Sequence, residues 1–397
     1  MSPARAAAFA VIRRVFEGGA YADRALLAEA RDLEPRDRAL AKRLAFGTVQ
    51  RKGTLDWVVG AMAKGSLEPQ VRAALWLGLY ELLFSDAAQH AAVDEAVELA
   101  KPSKGHKVVN AVLRRVQRDG VQLPSDEQIG GAAILHSHPK WIVRLWWETL
   151  GPEETRKLLA ADNEPAEPAL RVNPLVSGIA LPPGRREGDA LILDGPLDLA
   201  AHPAWRAGAV TAQSRAAQRV APALDPQPGE RVLDLCAAPG GKTTHLAALM
   251  GDRGEIVAVE RHAGRARALQ ATCERMRATC VTVVEGDAKA FTSDTPFDRV
   301  LVDPPCSGLG TLRGHPDLRW RMTPEIVERL VAEQDAILAA ARAVLKPGGT
   351  LVYATCTINP AEERLRGDER FQTLPHRDAT DGFYVARETV AGPAPAG

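Results

Sequence analysis

Cysteine is scarce in this chain. Five occur in 397 residues, an odd number without a pairing pattern, which excludes a disulfide framework. Net charge is also missing: 50 basic residues balance 50 acidic ones, so any basic surface has to be local. No window approaches the roughly 18 consecutive apolar residues that suggest a membrane span. The start, Met1-Ser2-Pro3-Ala4-Arg5, leads into an apolar stretch cut by Arg13 and Arg14, which reads as an amphipathic helix and not a secretory signal. These absences predict a reduced, cytoplasmic protein with no membrane partner. What is present is ordinary for a globular chain, 46% hydrophobic and 25% charged, with room for two or three domains.

Residues 1–125 read as helix after helix. Ala6 to Phe16, Pro35 to Gln50, Leu55 to Ala63, Pro69 to Phe84, Val93 to Lys101 and Lys107 to Arg118 carry apolar residues at three- and four-residue spacing, with short breaks rich in Gly, Pro or Ser. Residues 126–205 are dense in Pro and Gly and predict a linker plus a small module, with a helix at Lys140 to Leu150 and strands at Ala169 to Val172 and Ala190 to Leu193. Residues 206–390 alternate strand and helix. Strands fit Arg231 to Leu235, Glu255 to Val259, Val281 to Val284, Arg299 to Val302 and Thr350 to Tyr353, and helices fit Gln213 to Ala223, Lys242 to Met250, Gly264 to Arg277 and Pro324 to Leu345. The expected fold is multidomain: an all-α domain followed by a Rossmann-like α/β domain with a mostly parallel sheet. Gly382 to Ala386 is expected to add an antiparallel edge strand.

The first strand of the alternating part runs into a small-residue turn, Cys236-Ala237-Ala238-Pro239-Gly240-Gly241-Lys242. Small residues there let a ligand approach the backbone and the helix amides. A P-loop would need glycine where Cys236 stands, and the G-x-G-x-x-G pattern is absent, so the turn suits neither ATP nor NAD. Glu260 ends the next strand, where an acid can bind two ribose hydroxyls. Asp287 follows the third, where a carboxylate can accept an adenine amino group. Each acid alone is more often a helix cap or a solvated residue. In register across three strand ends, they favour an adenosine ligand without a phosphate cradle.

Two thiols occupy matching strand ends: Cys306 in Asp303-Pro304-Pro305-Cys306-Ser307-Gly308, and Cys356 in Ala354-Thr355-Cys356-Thr357. Ligands of open α/β sheets bind at the carboxyl ends of the strands, so both are expected to face one site. Cys273 and Cys280 have no such placement and read as buried structural thiols. For Cys236 the backbone, not the sulfur, is expected to line the ligand. No cysteine spacing suits a metal, and none is expected.

These motifs resemble the Fmu/Sun family of RNA cytosine-5 methyltransferases. His90-Ala91-Ala92-Val93-Asp94-Glu95-Ala96-Val97 and Val108-Val109-Asn110-Ala111-Val112-Leu113-Arg114-Arg115 resemble the RNA-binding NusB fold. The combination implies an S-adenosylmethionine cofactor, 16S ribosomal RNA as the partner and a monomer. It implies that Cys356 attacks cytosine carbon 6, Cys306 assists release, Asp303 binds the base and Lys242 stabilises charge. It also places the cofactor against the glycine turn, Glu260, Arg265, Asp287 and Asp303. Transfer RNA and DNA remain rival substrates, and a non-catalytic assembly factor a rival role. Arg313, His315, Arg319, Trp320 and Arg321 are expected to grip RNA, while Arg36, Arg38, Lys42, Arg43 and the Lys101 to Lys107 loop stand at even odds. His136 and His138 are expected to be structural. Two stretches are short for the family, Leu175 to Trp205 and the segment after Cys356, which predicts a looser wall beside the site.

Overall fold

The computed structural model describes residues 2–86 and 88–390. The first elements are α1 (Pro3–Phe16), α2 (Ala22–Glu29), α3 (Pro35–Met62), α4 (Pro69–Phe84), α5 (Gln89–Ala100), α6 (His106–Asp119), α7 (Ile129–Leu135), α8 (Lys140–Leu150) and α9 (Pro152–Ala161). Then come β1 (Ala169–Val172), β2 (Gly184–Glu187), β3 (Ala190–Leu193), α10 (Pro203–Arg206), β4 (Val210–Ala212), α11 (Arg215–Gln218) and α12 (Val220–Leu224). The alternating part follows as β5 (Arg231–Leu235), α13 (Gly241–Leu249), β6 (Glu255–Glu260), α14 (Ala263–Arg275), β7 (Val281–Glu285) and β8 (Phe297–Val302). The chain ends on α15 (Leu318–Arg321), α16 (Pro324–Ala343), β9 (Leu345–Thr355), β10 (Glu369–Thr373), α17 (Pro375–Asp378) and β11 (Phe383–Thr389).

Two compact units result. One holds the residues up to Glu164 together with Leu312–Arg321, and the other holds Pro165–Thr311 with the residues from Met322 on. The boundary therefore falls inside the 126–205 stretch: α7 to α9 join the helical unit, and β1 to β3 join the α/β unit.

In the helical unit, Ile12, Leu44, Leu55, Leu75, Leu79 and Leu113 meet in a core sealed from water. Proline opens α1, α3, α4 and α9, where its missing N–H has no helical partner to lose. Helix α3 does not break after Gln50 as expected but runs on to Met62. Gly53, inside this helix, is needed for space: a Cβ there would lie 2.8 Å from the Trp320 ring and 3.2 Å from Ser137 Oγ.

The segment Leu312–Arg321 corrects a functional expectation. Arg319 is wholly buried and donates to Ser137 O (3.1 Å), Asn163 Oδ1 (3.2 Å) and Asp162 O (3.2 Å). Trp320 Nε1 donates to Val49 O at 2.7 Å, and Arg321 Nη2 to Gly19 O at 2.9 Å. The Lys52 ammonium sits 5.1–5.5 Å from the rings of Trp320, Trp76 and Phe16. These side chains fasten the helical unit and are spent on protein, not offered to a polyanion. Of the five residues expected to grip RNA, only His315 is exposed. Arg38 caps the end of α2, donating to Ala30 O, Arg31 O and Leu33 O, while Arg36, Lys42 and Arg43 stay solvated. His138 is buried against Asp162, a structural placement.

In the α/β unit, four short antiparallel strands form a small sheet in the order β2-β3-β1-β4. The seven-stranded sheet has the order β10-β11-β9-β8-β5-β6-β7. Pairing is parallel from β9 through β8, β5 and β6 to β7, and antiparallel at β11 and β10. The central strands are apolar runs buried on both faces, as parallel strands between helices must be. Leu233, Val257, Val300 and Leu351 lie on one face, and each such burial contributes about 1.5–3 kcal/mol. β11 is antiparallel as expected but is not the edge, because β10 covers it. From β5 the chain winds outward through β6 and β7, then returns to β8 on the other side. The crevice between β5 and β8 is thus a topological switch point, where ligands of such sheets bind.

Candidate active site

Above β5 the backbone turns sharply. Cys236 takes φ +66° and Gly240 φ +101°, the left-handed region that glycine enters without strain. Gly240 has a second constraint, since a Cβ there would lie 2.8 Å from Leu269 Cδ1. Gly240 then caps α13, whose first amides have no side-chain cap.

Behind the turn, Asp234 is fully buried on β5 and accepts from Thr243 Oγ1 at 2.7 Å. Burial pushes its carboxyl up to about 7, and the nearby Asp303 charge adds to the rise. From the small sheet, Arg171 reaches the same turn: Nε donates to Gln213 Oε1 at 2.7 Å and Nη2 to Thr244 Oγ1 at 2.8 Å. Burial lowers this guanidinium to about 10. Neither residue was found from the sequence. Asp234 lay inside a recognised motif but read as strand, and Arg171 is linked to the turn only by tertiary structure.

Beside the turn lies a cleft at the ends of β5, β6 and β7. Cys236, Glu260, Arg265 and Asp287 line it, with Pro305 and Glu333 on the far wall. Arg265 braces the cleft: Nη2 donates to Ala238 O at 2.8 Å, and Nε faces Glu260 Oε2 at 3.4 Å. Glu260 Oε1 accepts the His262 N–H at 2.9 Å, which fixes the carboxylate at the strand end. Asp287 accepts the Lys289 N–H at 3.0 Å. Burial of Cys236 pushes its thiol well above the ordinary range, so it contributes wall and not a nucleophile. A turn of small residues, with two acids in reach, fits an adenosine-bearing cofactor.

A second group of predicted residues meets next to this cleft. Lys242 Nζ lies 2.5 Å from Asp303 Oδ2 and 5.3 Å from the Phe383 ring. Burial opposes the ammonium, but Asp303 and then Cys356 outweigh it and hold its pKa above the usual lysine value. The Cys306 and Cys356 sulfurs approach to 3.2 Å across the ends of β8 and β9. The hydrogen bond to Cys356, with burial, raises the Cys306 thiol well above its ordinary value. Cys273 and Cys280 lie apart from both groups, the first on the buried face of α14, and burial lifts each to about 12. Among the described residues, no three His, Cys, Asp or Glu side chains gather as metal ligands. Among the same residues, no helix is long and apolar enough to cross a membrane.

The loops that carry the thiols meet on Glu362, which sequence reasoning missed. It sits in a single turn of 3-10 helix, Pro360–Glu362, and is fully buried. The short segment after Cys356 is therefore hydrogen-bonded closely to its neighbours, which corrects the expectation of a loose wall.

Comparison with known proteins agrees with this geometry. The family described as 16S rRNA methyltransferase RsmB/F matches residues 221–371, and the NusB family matches residues 2–118. The probable ribosomal RNA small subunit methyltransferase B of Synechocystis sp. is 37% identical over 447 aligned residues, covering 97% of this chain and 99% of the relative. That alignment is longer than the chain, so the relative carries segments with no counterpart here. Ribosomal RNA small subunit methyltransferase B of Vibrio cholerae is 35% identical, with 96% of each chain covered. Among solved structures, PH0851 superposes with a TM-score of 0.79 at 25% identity over 98% of both chains. NSun6 from Pyrococcus horikoshii, solved with the S-adenosylmethionine analogue SFG, shares the fold at TM-score 0.57 and 21% identity, covering 64% of this chain and 98% of its own. With a NusB-family domain N-terminal to an S-adenosylmethionine-dependent catalytic unit, the chain belongs to the 16S rRNA methyltransferase RsmB/F family.

Proposed function

We propose that the enzyme methylates carbon 5 of a cytosine in 16S ribosomal RNA, with Cys356 as nucleophile and Cys306 as the thiol of the release step. The observation that carries this reading is the 3.2 Å approach of the two sulfurs beside the Lys242–Asp303 pair. Bound S-adenosylmethionine supplies an electrophilic methyl group. Glu260 holds its ribose, Asp287 its adenine, and the Gly240 turn admits its body.

Cytosine carbon 5 is a poor nucleophile. Addition of the Cys356 thiolate to carbon 6 makes the ring enamine-like, so that carbon 5 can take the methyl. Cys306 then gives its proton to Cys356 as that thiol leaves and takes up the carbon 5 proton in its place, which restores the aromatic ring, so one hard step becomes several easier ones. Asp303, held at one oxygen by Lys242, orients the base by accepting from its exocyclic amine. Lys242 holds a fixed positive charge next to the reacting ring. The raised Cys306 thiol supports this division of labour, because a protonated thiol can donate to Cys356 but cannot attack. The base must leave any duplex to enter the crevice. The same reading has a monomer working in the cytoplasm, and its five cysteines are free.

The test is denaturing electrophoresis after incubation with S-adenosylmethionine and unmodified ribosomal RNA. Cys306→Ala is expected to trap a covalent protein–RNA adduct, and Cys356→Ala to form none. An adduct that requires Cys306 would reverse the two roles and point to the DNA-type mechanism.

A further inference from the structure

We propose that Glu362 is the positioning residue of the site, a single carboxylate that sets the separation of the two thiols by binding the residue that follows each of them. The proposal rests on the reading of Cys356 and Cys306 as the working thiols.

Ser307 follows Cys306, and Thr357 follows Cys356. Ser307 N–H donates to Glu362 Oε1 at 2.8 Å, and Ser307 Oγ lies 2.5 Å from Oε2. Thr357 Oγ1 donates to the same Oε2 at 3.1 Å, and the two hydroxyl oxygens lie 2.7 Å apart. Gln334 Nε2 donates to Oε1 at 3.1 Å and to Pro305 O at 2.9 Å. A carboxylate offers about four lone-pair sites, and four donors fill them here. Among the described residues no cation pairs with Glu362, so neutral donors from the two thiol loops and α16 satisfy its charge.

The loops are tied a second time where Gly310 N–H donates to Cys356 O at 3.0 Å. Tyr353, on β9, closes the back of the cluster by donating to Glu362 O at 2.8 Å. Ser307, Gln334, Thr357 and Glu362 are each essentially sealed from water. A partly satisfied buried network is worse than none, so this cluster has one low-energy arrangement. That arrangement places one sulfur to attack and the other to assist, and a 1 Å error in such placement costs about 10²-fold in rate.

Glu362→Gln tests it, because the amide keeps the shape but replaces one double-acceptor oxygen with a donor. Full-length Cys306→Ala and Cys306→Ala/Glu362→Gln are mixed with S-adenosylmethionine and ribosomal RNA, and adduct formation is timed. The expected result is about a 10²-fold slower rate at saturating RNA, with half-saturation and S-adenosylmethionine affinity unchanged. An equal rate in the two proteins would overturn the proposal. If the Gln variant loses cofactor binding, Thr357→Val decides, since it removes one donor at constant shape: a slower adduct supports the clamp, and the parent rate overturns it. Methyl transfer by Glu362→Gln with both cysteines present is read alongside. That rate is expected to fall even if Cys306→Ala traps nothing, an outcome that would refute Cys356 as nucleophile and leave the clamp standing.

Discussion

Arg319 gives the sharpest test of the distinction between a residue that binds RNA and one that binds its own fold. Replacing it with Leu strands two acceptors, Ser137 O and Asn163 Oδ1, while Asp162 O keeps its Gln50 Nε2 donor at 2.8 Å. Asn163 cannot turn away, because its amide nitrogen is held by His136 O and Leu159 O. At about 1–3 kcal/mol for each stranded acceptor, the loss is about 4 kcal/mol. Part of this is returned, since burial lowers the guanidinium to about 10, a cost near 3 kcal/mol that the variant escapes. The net expectation is a helical unit weaker by about 1 kcal/mol. In urea, with a slope of about 1–3 kcal/mol per molar, the unfolding midpoint falls by about 0.3–1 M. RNA affinity measured against salt should keep its slope. A stable variant whose slope drops by about 0.7, one phosphate contact on a single strand, would refute the assignment.

Two further outcomes follow from the cofactor turn. Gly240→Ala forces a side chain into left-handed backbone at a cost of about 1–3 kcal/mol and against Leu269. Calorimetry should show S-adenosylmethionine affinity reduced by about tenfold or more, and wild-type affinity would mean that the turn does not hold the cofactor. Asp234, raised to about 7 in the fold from a normal value near 3.9, binds its proton more tightly folded than unfolded. It therefore stabilises fully below about pH 4, and that contribution fades as pH rises through about 7. Asp234→Asn should flatten the melting temperature over that window, and an unchanged slope would place the titration elsewhere.

Legibility from sequence followed the range of the forces involved. The glycine turn and the two thiol strands were readable because each is a local run, a buried strand leading into a loop with fixed backbone demands. Helices α4 and α8 were readable from apolar spacing alone. Helix α2 was not, since its exposed Leu27 gives it no clean face, and β10 was not, since an edge strand that is mostly solvated carries no alternation. The need for Gly53 was not readable because its reason lies 267 positions away, in Trp320. Glu362 read as one acid among several in a short loop. Its role depends on Ser307 and Gln334 arriving from other elements, which no spacing rule encodes. Arg319 and Trp320 misled in the opposite direction, for a basic, aromatic segment near an active site reads as an RNA grip until its partners are seen.

The excursion of Leu312–Arg321 into the helical unit has a consequence for how the protein can be made. The chain passes from one unit to the other and back between the two thiol loops, so no single cut yields two complete halves. A fragment ending at Glu164 lacks the arginine and tryptophan that close its own interior. During synthesis, the amino-terminal module is left waiting through β5, β6, β7 and β8 before its last piece emerges. The usual order, in which an early domain finishes before a later one begins, is interleaved here. Covalent order thereby makes maturation of one module conditional on the synthesis of the other.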